Sequence, residues 1–420
     1  MNLFETEYSG RLYQKVLELA RIFQEAGGRA LLVGGAVRDA LMGRPVKDFD
    51  LEVHKLPSTR VLELLQGVCE VDTVGMSFGV IKVKHLDLDI SLPRKENKTG
   101  AGHRGFLVEL DSELTLADAA ARRDFTVNAI MYDPLTGEIL DPHGGMADLE
   151  KKVLRHVSSH FSEDPLRVLR GMQFSGRMAF DFAPETVQLC SEISQTELPL
   201  ERIGSEWEKM LLQGKNISCG MEFLRQCRWI KYYPELEALS PDMWQKTLEL
   251  LDRCAQLRTN ERQKDLVLMG SALTAFISER EKFCRRLWNR QELISRIAAH
   301  AECFASFSKI QVDDITLPQI RTAALSLKGT ELLSLLLAGA GQEEKASLTA
   351  GMAREEGIFD RAPEPILTGR HCAELGIAPG PLMGRLLKKC FEAQLNGAFR
   401  ELEAGKEFLR TLTESYEKEH

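Results

Sequence analysis

No stretch of this chain approaches the ~20 consecutive apolar residues that a bilayer-spanning helix requires, so no membrane span is expected. The opening residues, MNLFETEYSGR, lack the basic and apolar blocks of a secretory signal, and the expected location is the cytoplasm. Nine cysteines are scattered without a single C-x-x-C pair, which argues against a disulfide framework or a zinc site. Reduced, mostly buried thiols are expected instead. No fixed-period repeat or low-complexity tract occurs, which argues against a solenoid. A basic surplus is missing too: the formal net charge is −8. That does not exclude a polyanionic partner, because phosphate binding needs only a local basic cluster.

What is present begins with length. The 420 residues suffice for two to four domains, each with its own core. Leu12 to Phe23 places apolar residues at helical spacing, and Gly27-Gly28 stops the helix. Ala30 to Val33 reads as a short strand, followed by Gly34-Gly35 and a short helix from Val37 to Met42. Asp48 to Val53 alternates, with Asp48, Asp50 and Glu52 on one strand face and Phe49, Leu51 and Val53 on the other. Further strands are expected at Gly79 to Val83 and Leu86 to Leu92. The polar segment from Arg94 to Gly105 is expected to be a mobile loop. From about His156 onward strand patterns disappear and helical periodicity takes over.

Carboxylates at i and i+2 on one strand face lie ~7 Å apart and repel unless something separates them. Magnesium would do so: it takes oxygen ligands, binds one or two carboxylates and leaves positions open for phosphate and water. Two such ions stabilise both the attacking and the leaving oxygens of an in-line phosphoryl displacement. Asp89, on the later strand, is a candidate third carboxylate, and Asp87 shares its face and is an alternative. The bland alternative for the whole set is a solvated strand face. Gly34-Gly35 weighs against that, because a glycine pair between strand and helix aims amide N–H groups at an anion. Arg38, one turn further on, supplies a charge-assisted contact to a phosphate.

LVGGAVRDALMG followed by KDFDLEV resembles the signature of the tRNA nucleotidyltransferase/poly(A) polymerase family in its bacterial-type class, one of the polymerase-β-like nucleotidyltransferases. The resemblance implies an α+β fold: a head with a mixed sheet and helices, followed by an all-α neck, body and tail. It implies that Gly34, Gly35 and Arg38 hold the incoming triphosphate and that Asp48 and Asp50 bind Mg2+; Asp89 stays the candidate third catalytic carboxylate, with Asp87 as its alternative. ARRDFTVNAIMYDP resembles the family's second block, with Arg123 as a nucleotide contact and Asn128 near the sugar. DPHGGMADLEKKVLRHV matches the link from head to neck.

SEDPLRVLRGMQF resembles the block with which the family chooses nucleotides, placing Asp164 and Arg167 on the base and Arg170 on the nucleotide. Cytosine and adenine each present an amino donor beside a ring-nitrogen acceptor. An acceptor Asp and a donor Arg, three residues apart on one helix face, therefore fit both bases and reject uracil and guanine. The alternative is an N-cap and a surface charge. At 173, where the family often has a further Arg, this chain has Gln, which puts that contact in doubt. PLERIGSEWEKMLLQGK resembles the neck segment, in which Glu206 and Lys209 are expected as helix-stabilising partners.

The expected division is a catalytic head at 1–155, a helical neck at 156–236, and a tRNA-binding body and tail at 237–420. From about Met243 the chain resembles a faded HD-type region. Lys246 and Thr274-Ala275 stand where metal-binding His and His-Asp would be, so no phosphohydrolase activity is expected. ILTGRHCAELGIAPGPLMGRLLKKCFEAQLNG resembles a C-terminal segment of the family, with Arg370, Arg385, Lys388 and Lys389 as candidate tRNA-phosphate contacts. His103 and His371 are expected to be ordinary surface residues. The implied substrates are CTP, ATP and tRNA, with addition of C and A to the 3′ end. An A-adding enzyme or a poly(A) polymerase would share these motifs, and the full-length segment from Arg94 to Gly105 favours CCA addition. An inactive RNA-binding protein is the remote alternative.

Overall fold

The computed structural model describes Phe4 and residues 10–98, 106–196 and 198–419. They fall into two compact units: Met1–Met210 with Cys219–Tyr232, and Leu211–Ser218 with Tyr233–His420.

The first unit begins with helix α1 (Gly10–Glu25), which buries Val16, Leu19 and Phe23, spaced for one helix face. The apolar run of β1 (Arg29–Val33) follows, then α2 (Gly35–Leu41) and β2 (Phe49–His54). After α3 (Ser58–Gln66) come β3 (Val71–Asp72), β4 (Val80–Val83) and β5 (Leu88–Ser91). β6 (Arg94–Lys98) and β7 (Phe106–Leu110) form a separate antiparallel pair. β8 (Met131–Tyr132) and β9 (Ile139–Leu140) complete a seven-stranded sheet of order β3-β4-β5-β2-β1-β8-β9. The sheet is mixed, since β2 runs parallel to β5 and antiparallel to β1. Leu32, Phe49, Leu51, Val53 and Ile90 are buried in the core that α1 covers.

Two registers position the site. Val33 pairs with Asp50, so the turn that leaves β1 starts beside that carboxylate. Asp50 in turn pairs with Asp89 on β5. The open choice between Asp87 and Asp89 is thereby decided as to position: Asp89 stands in the strand, whereas Asp87 precedes it and its carbonyl accepts from the Phe49 N–H at 2.9 Å.

Two sequence expectations need correction. Arg94–Lys98 is strand rather than loop; β7 supplies its backbone hydrogen bonds, so polar side chains such as Lys95, paired with Asp111 at 2.6 Å, need no burial. Residues 99–105 of that segment, including His103, lie outside the described residues. Strand structure also persists beyond His156, for Asp181–Phe182 pairs in parallel with Val153–Leu154. Otherwise helices follow: Leu166–Met178, Pro184–Glu192 and Leu200–Gln213.

Among the described residues of the second unit no strand occurs. Helices Pro241–Gln256, Arg262–Thr274, Gln291–Phe307 and Glu331–Gly339 pack on one another and bury Leu251, Leu268, Ile297 and Leu336 completely. Gly270 permits one close crossing: a Cβ there would lie 2.6 Å from Ile297 Cδ1. A smaller core of Leu367, Cys372, Leu386, Cys390, Phe399 and Leu409 joins the last three helices. No described helix is long and apolar enough to cross a membrane.

Candidate active site

Gly34 is the pivot of the glycine turn. Its φ of 74° and ψ of −141° are open to glycine and strained for any other residue. A Cβ at this position would stand 3.4 Å from Asp50 Oδ2 and 3.5 Å from Arg123 Nη1. The turn, the carboxylate and the arginine therefore meet at one point, although they come from residues far apart in sequence.

Asp50 is exposed yet lines a recess in the surface. Burial, together with the like charges of Asp48, Asp89 and Glu52, outweighs Arg123 and pushes its carboxyl up to about 6. Glu52, two residues on, is buried and bridged: Arg123 Nη2 donates to Oε2 at 3.1 Å, and His54 Nε2 lies 3.0 Å from Oε1. Burial raises the Glu52 carboxyl, but Arg123 and His54 outweigh it and hold it below the usual range.

A cavity of about 280 Å³ opens here, walled by Asp50, Glu52, Arg94, Arg122, Arg123 and Arg167 among others. Four arginines against two carboxylates suit a polyphosphate. The donor set also fits a hard divalent cation in part. Asp48, Asp50 and Asp89 are oxygen donors, and the charges of Asp48 and Asp89 help raise the Asp50 carboxyl, a conflict a cation relieves. Among the described residues no three His, Cys, Asp or Glu side chains form a complete cation cage. What the chain offers is a partial shell that phosphate and water would complete.

The other expected nucleotide contacts do not line this cavity. Arg38, Asn128 and Arg170 belong to a buried chain of hydrogen bonds. Arg38 Nη1 donates to Asn128 Oδ1 at 2.6 Å, and Asn128 Nδ2 to Asp124 Oδ1 at 2.8 Å. Arg170 Nε donates to Asp124 Oδ2 at 2.7 Å. Both guanidinium groups lie over the Phe174 ring, at 5.2 and 5.4 Å. Burial raises the Asp124 carboxyl, but the charge of Arg170 and the bonds from Asn128 and the Phe125 N–H outweigh it and leave it low. Gly35 touches this layer, since its Cβ would lie 3.5 Å from Arg38 Nη2.

Asp164 and Arg167 do not share a helix face as expected. Asp164 is extended (φ −118°, ψ 103°) and precedes the helix that carries Arg167. Pro165 sits at the helix start, and Asp164 Oδ1 caps it by accepting from the Leu166 N–H at 3.0 Å. Its other oxygen accepts from Arg202 Nη2 at 2.9 Å. Arg167 donates to the carbonyls of His160 and Arg122 at 2.6 and 2.7 Å. Gln173 is buried, and its Oε1 accepts from Arg177 Nη1 at 3.0 Å.

In the second unit Arg370, Arg385, Lys388 and Lys389 are all exposed. Arg370 lies 3.5 Å from Glu374, and Lys389 Nζ sits over the Tyr416 ring at 4.6 Å. His371 caps its own helix by accepting from the Thr368 N–H. Lys246 pairs with Asp242, and the buried Thr274 hydroxyl donates to the Gly270 carbonyl. Glu206 accepts from Lys209 at 2.7 Å.

The sequence reading assigns no site role to Glu52, Asp124 or Arg202. Glu52 extends the alternation of Asp48 and Asp50, and Asp124 stands inside the second block, so both had a visible signal. Arg202, 38 residues from its partner, had none.

The mixed sheet sets carboxylates on the adjacent parallel strands β2 and β5, with a glycine turn against them and helices after it. Residues 30–155 match the family model "Poly A polymerase head domain". A "Multifunctional CCA protein" of Xanthomonas campestris is 42% identical over 187 residues, covering 43% of this chain and 44% of that protein. One of the same name from Shewanella frigidimarina is 36% identical over 265 residues, covering 58% and 62%. The chain thus spans about half the length of the curated relatives it matches. Among solved structures, the Bacillus stearothermophilus CCA-adding enzyme in complex with CTP superposes with a TM-score of 0.75. That match has 23% identity and covers 97% of this chain and 99% of that one. The Thermotoga maritima CCA-adding enzyme complexed with tRNA gives 0.68 at 20% identity, covering 98% and 97%. At these identities the likeness is one of fold.

Proposed function

We propose that this chain is a cytoplasmic tRNA nucleotidyltransferase that adds C and A from CTP and ATP to the tRNA 3′ end without a template, releasing pyrophosphate. The observation that carries this is the meeting of Asp50, the Gly34 turn and Arg123 at the mouth of an arginine-walled cavity. The names of the curated relatives, and solved neighbours holding CTP, ATP and tRNA, support the choice of substrates. The head comprises 1–155, the neck 156–236, and the body and tail 237–420.

Asp48 and Asp50 hold Mg2+, with Asp89 beside them. The ion, when bound, lowers the pKa of the attacking 3′ hydroxyl and neutralises charge on the leaving phosphates. The chain's own residues do the positioning. Amides of the Gly34-Gly35 turn and Arg123 grip the triphosphate, Glu52 aims Arg123, and the Arg38–Asn128–Asp124–Arg170 chain stiffens the wall behind them. Asp164 and Arg167 read the base. Their present partners, Arg202 and two carbonyls, hold both side chains in place before a nucleotide arrives. In the tail, Arg370, Arg385, Lys388 and Lys389 follow tRNA phosphates.

The reading is tested by replacing Asp164 with Ala and measuring incorporation of all four nucleotides on a tRNA lacking its terminal CCA. Loss of the preference for C and A over U and G is expected. Unaltered preference removes Asp164 from base selection.

A further inference from the structure

His54 closes strand β2 on the face that carries Asp50 and Glu52, since residues two apart share one side of a strand. The opposite face, with Phe49, Leu51 and Val53, belongs to the core that α1 covers. His54 is only 3% exposed. Its Nε2 lies 3.0 Å from Glu52 Oε1, and among the described residues its buried Nδ1 has no hydrogen-bond partner. The hydrogen bonding of the ring therefore goes to Glu52 alone. Burial works against the Glu52 charge, but Arg123 and then His54 preserve it. A carboxylate accepts here, and Nε2 donates.

The direction of Arg123 depends on that carboxylate. Arg123 Nη2 donates to Glu52 Oε2 at 3.1 Å, Nη1 lies against the Gly34 turn, and Nε is buried without a partner among the described residues. Glu52 thus gives one oxygen to each neighbour, Oε1 to His54 and Oε2 to Arg123. Without the imidazole, Oε1 would be a buried charged acceptor with no donor. The carboxylate would then turn to take the guanidinium through both oxygens, the paired geometry that arginine and carboxylate favour. That turn would pull a second nitrogen of Arg123 into the pair and away from the cavity it walls. A histidine that merely filled the core would need no acidic neighbour; this one occupies the oxygen that Arg123 does not.

We propose that His54 is a positioning residue for nucleotide transfer: by holding Glu52 Oε1 it restricts Glu52 to one bond with Arg123 and keeps the Nη1 edge of that guanidinium turned to the phosphates in the cavity. The proposal rests on the nucleotidyltransferase reading. Three variants test it. His54→Leu fills the space without a donor, and the amide of His54→Asn falls short of Glu52. The longer amide of His54→Gln restores an N–H near the place of Nε2. His54→Leu is also made in a Glu52→Gln background. Steady-state kinetics are measured with CTP and, separately, with tRNA as the varied substrate.

His54→Leu and His54→Asn should raise the KM for CTP by on the order of tenfold, with a smaller fall in kcat, and leave the KM for tRNA within about twofold. His54→Gln should recover most of the loss. With Glu52→Gln already present, His54→Leu should add less than about twofold, since the group it acts through is altered. An unchanged KM for CTP in both His54→Leu and His54→Asn overturns the proposal. So does a parallel rise in both KM values without rescue by His54→Gln, which marks a structural role. A full further loss in the Glu52→Gln background also overturns it, because His54 would then act by another route. If His54→Leu does not fold, the contrast between His54→Asn and His54→Gln decides. An unaltered protein that transfers no nucleotide sinks the functional reading itself, whereas an active one indifferent to these changes sinks only this proposal.

Discussion

The two units bury charge in different ways. Among the described residues of the helical unit, Lys345, Asp265 and Arg321 are satisfied by their immediate partners without joining one another. Lys345 donates to the carbonyls of Phe307 and Ser308, and Asp265 accepts from Thr259 and from the Asn260 N–H. Arg321 meets one carboxylate, Glu356, and two carbonyls. In the first unit Asp133 and Asp148 also end on single arginines, Arg29 and Arg155, but other buried ions are linked across elements, from α2 through Asn128 and Asp124 to Arg170, with Glu52 and Arg123 next to the cavity. Isolated satisfied ions staple a fold; linked ones that end at an open cavity with like charges left over build a site.

Substitutions can break that contrast, and the largest effect is expected at Asp50. Asp50→Asn should lower nucleotide transfer by on the order of a thousandfold while the melting temperature is unchanged or rises, since a partly buried like-charge repulsion is removed. Gly34→Ala is next: backbone strain of about 1–3 kcal/mol, with a methyl group set between Asp50 and Arg123, should reduce transfer about a hundredfold in steady-state assays. Asp124→Ala should cost about 3 kcal/mol in denaturant unfolding, because Arg170 is left without its carboxylate, and should also lower transfer.

Arg321→Leu, its counterpart in the helical unit, should cost a similar or smaller amount, about 2–3 kcal/mol, and leave the KM for CTP unchanged. A fall in stability without loss of transfer at Asp124, or the reverse at Arg321, would erase the distinction between the two units.

The smallest effect concerns His300 in the helical unit. Burial lowers its pKa to about 4, despite a hydrogen bond to the Arg296 carbonyl. Between that value and its ordinary ~6.5 the unfolded chain binds the proton and the folded one does not, so stability falls as pH drops through this window. The loss from pH 7 to pH 5 should be on the order of 2 kcal/mol and should be absent in His300→Gln, measured by urea unfolding at both pH values.

Much of the head was legible because its signals are local. Alternation marked β2, the glycine pair marked the turn, and Asp89 fell on a strand of its own. That the Asp89 strand could pair beside β2 was expected from the sequence; its parallel direction and the register that sets Asp89 beside Asp50 were not legible, since they leave no mark in either strand. Arg38 and Asn128 were read as separate nucleotide contacts; that both are tied into one chain through Asp124 depends on how α2 approaches Phe174. The strand at Arg94–Lys98 was missed for the opposite reason: its polar composition described its side chains, while its structure comes from backbone bonds to β7. The partner of Asp164 came from 38 residues away, beyond any local pattern.

The central claim is one protein adding both bases. Purified protein would be offered, separately, tRNAs ending before CCA, after C and after CC, each with labelled CTP or ATP and Mg2+. The account predicts CTP addition to the first two, ATP addition to the CC-ended tRNA, and a complete CCA end on the first when both nucleotides are supplied. ATP addition confined to the CC-ended tRNA, with no CTP incorporated on any substrate, would contradict it.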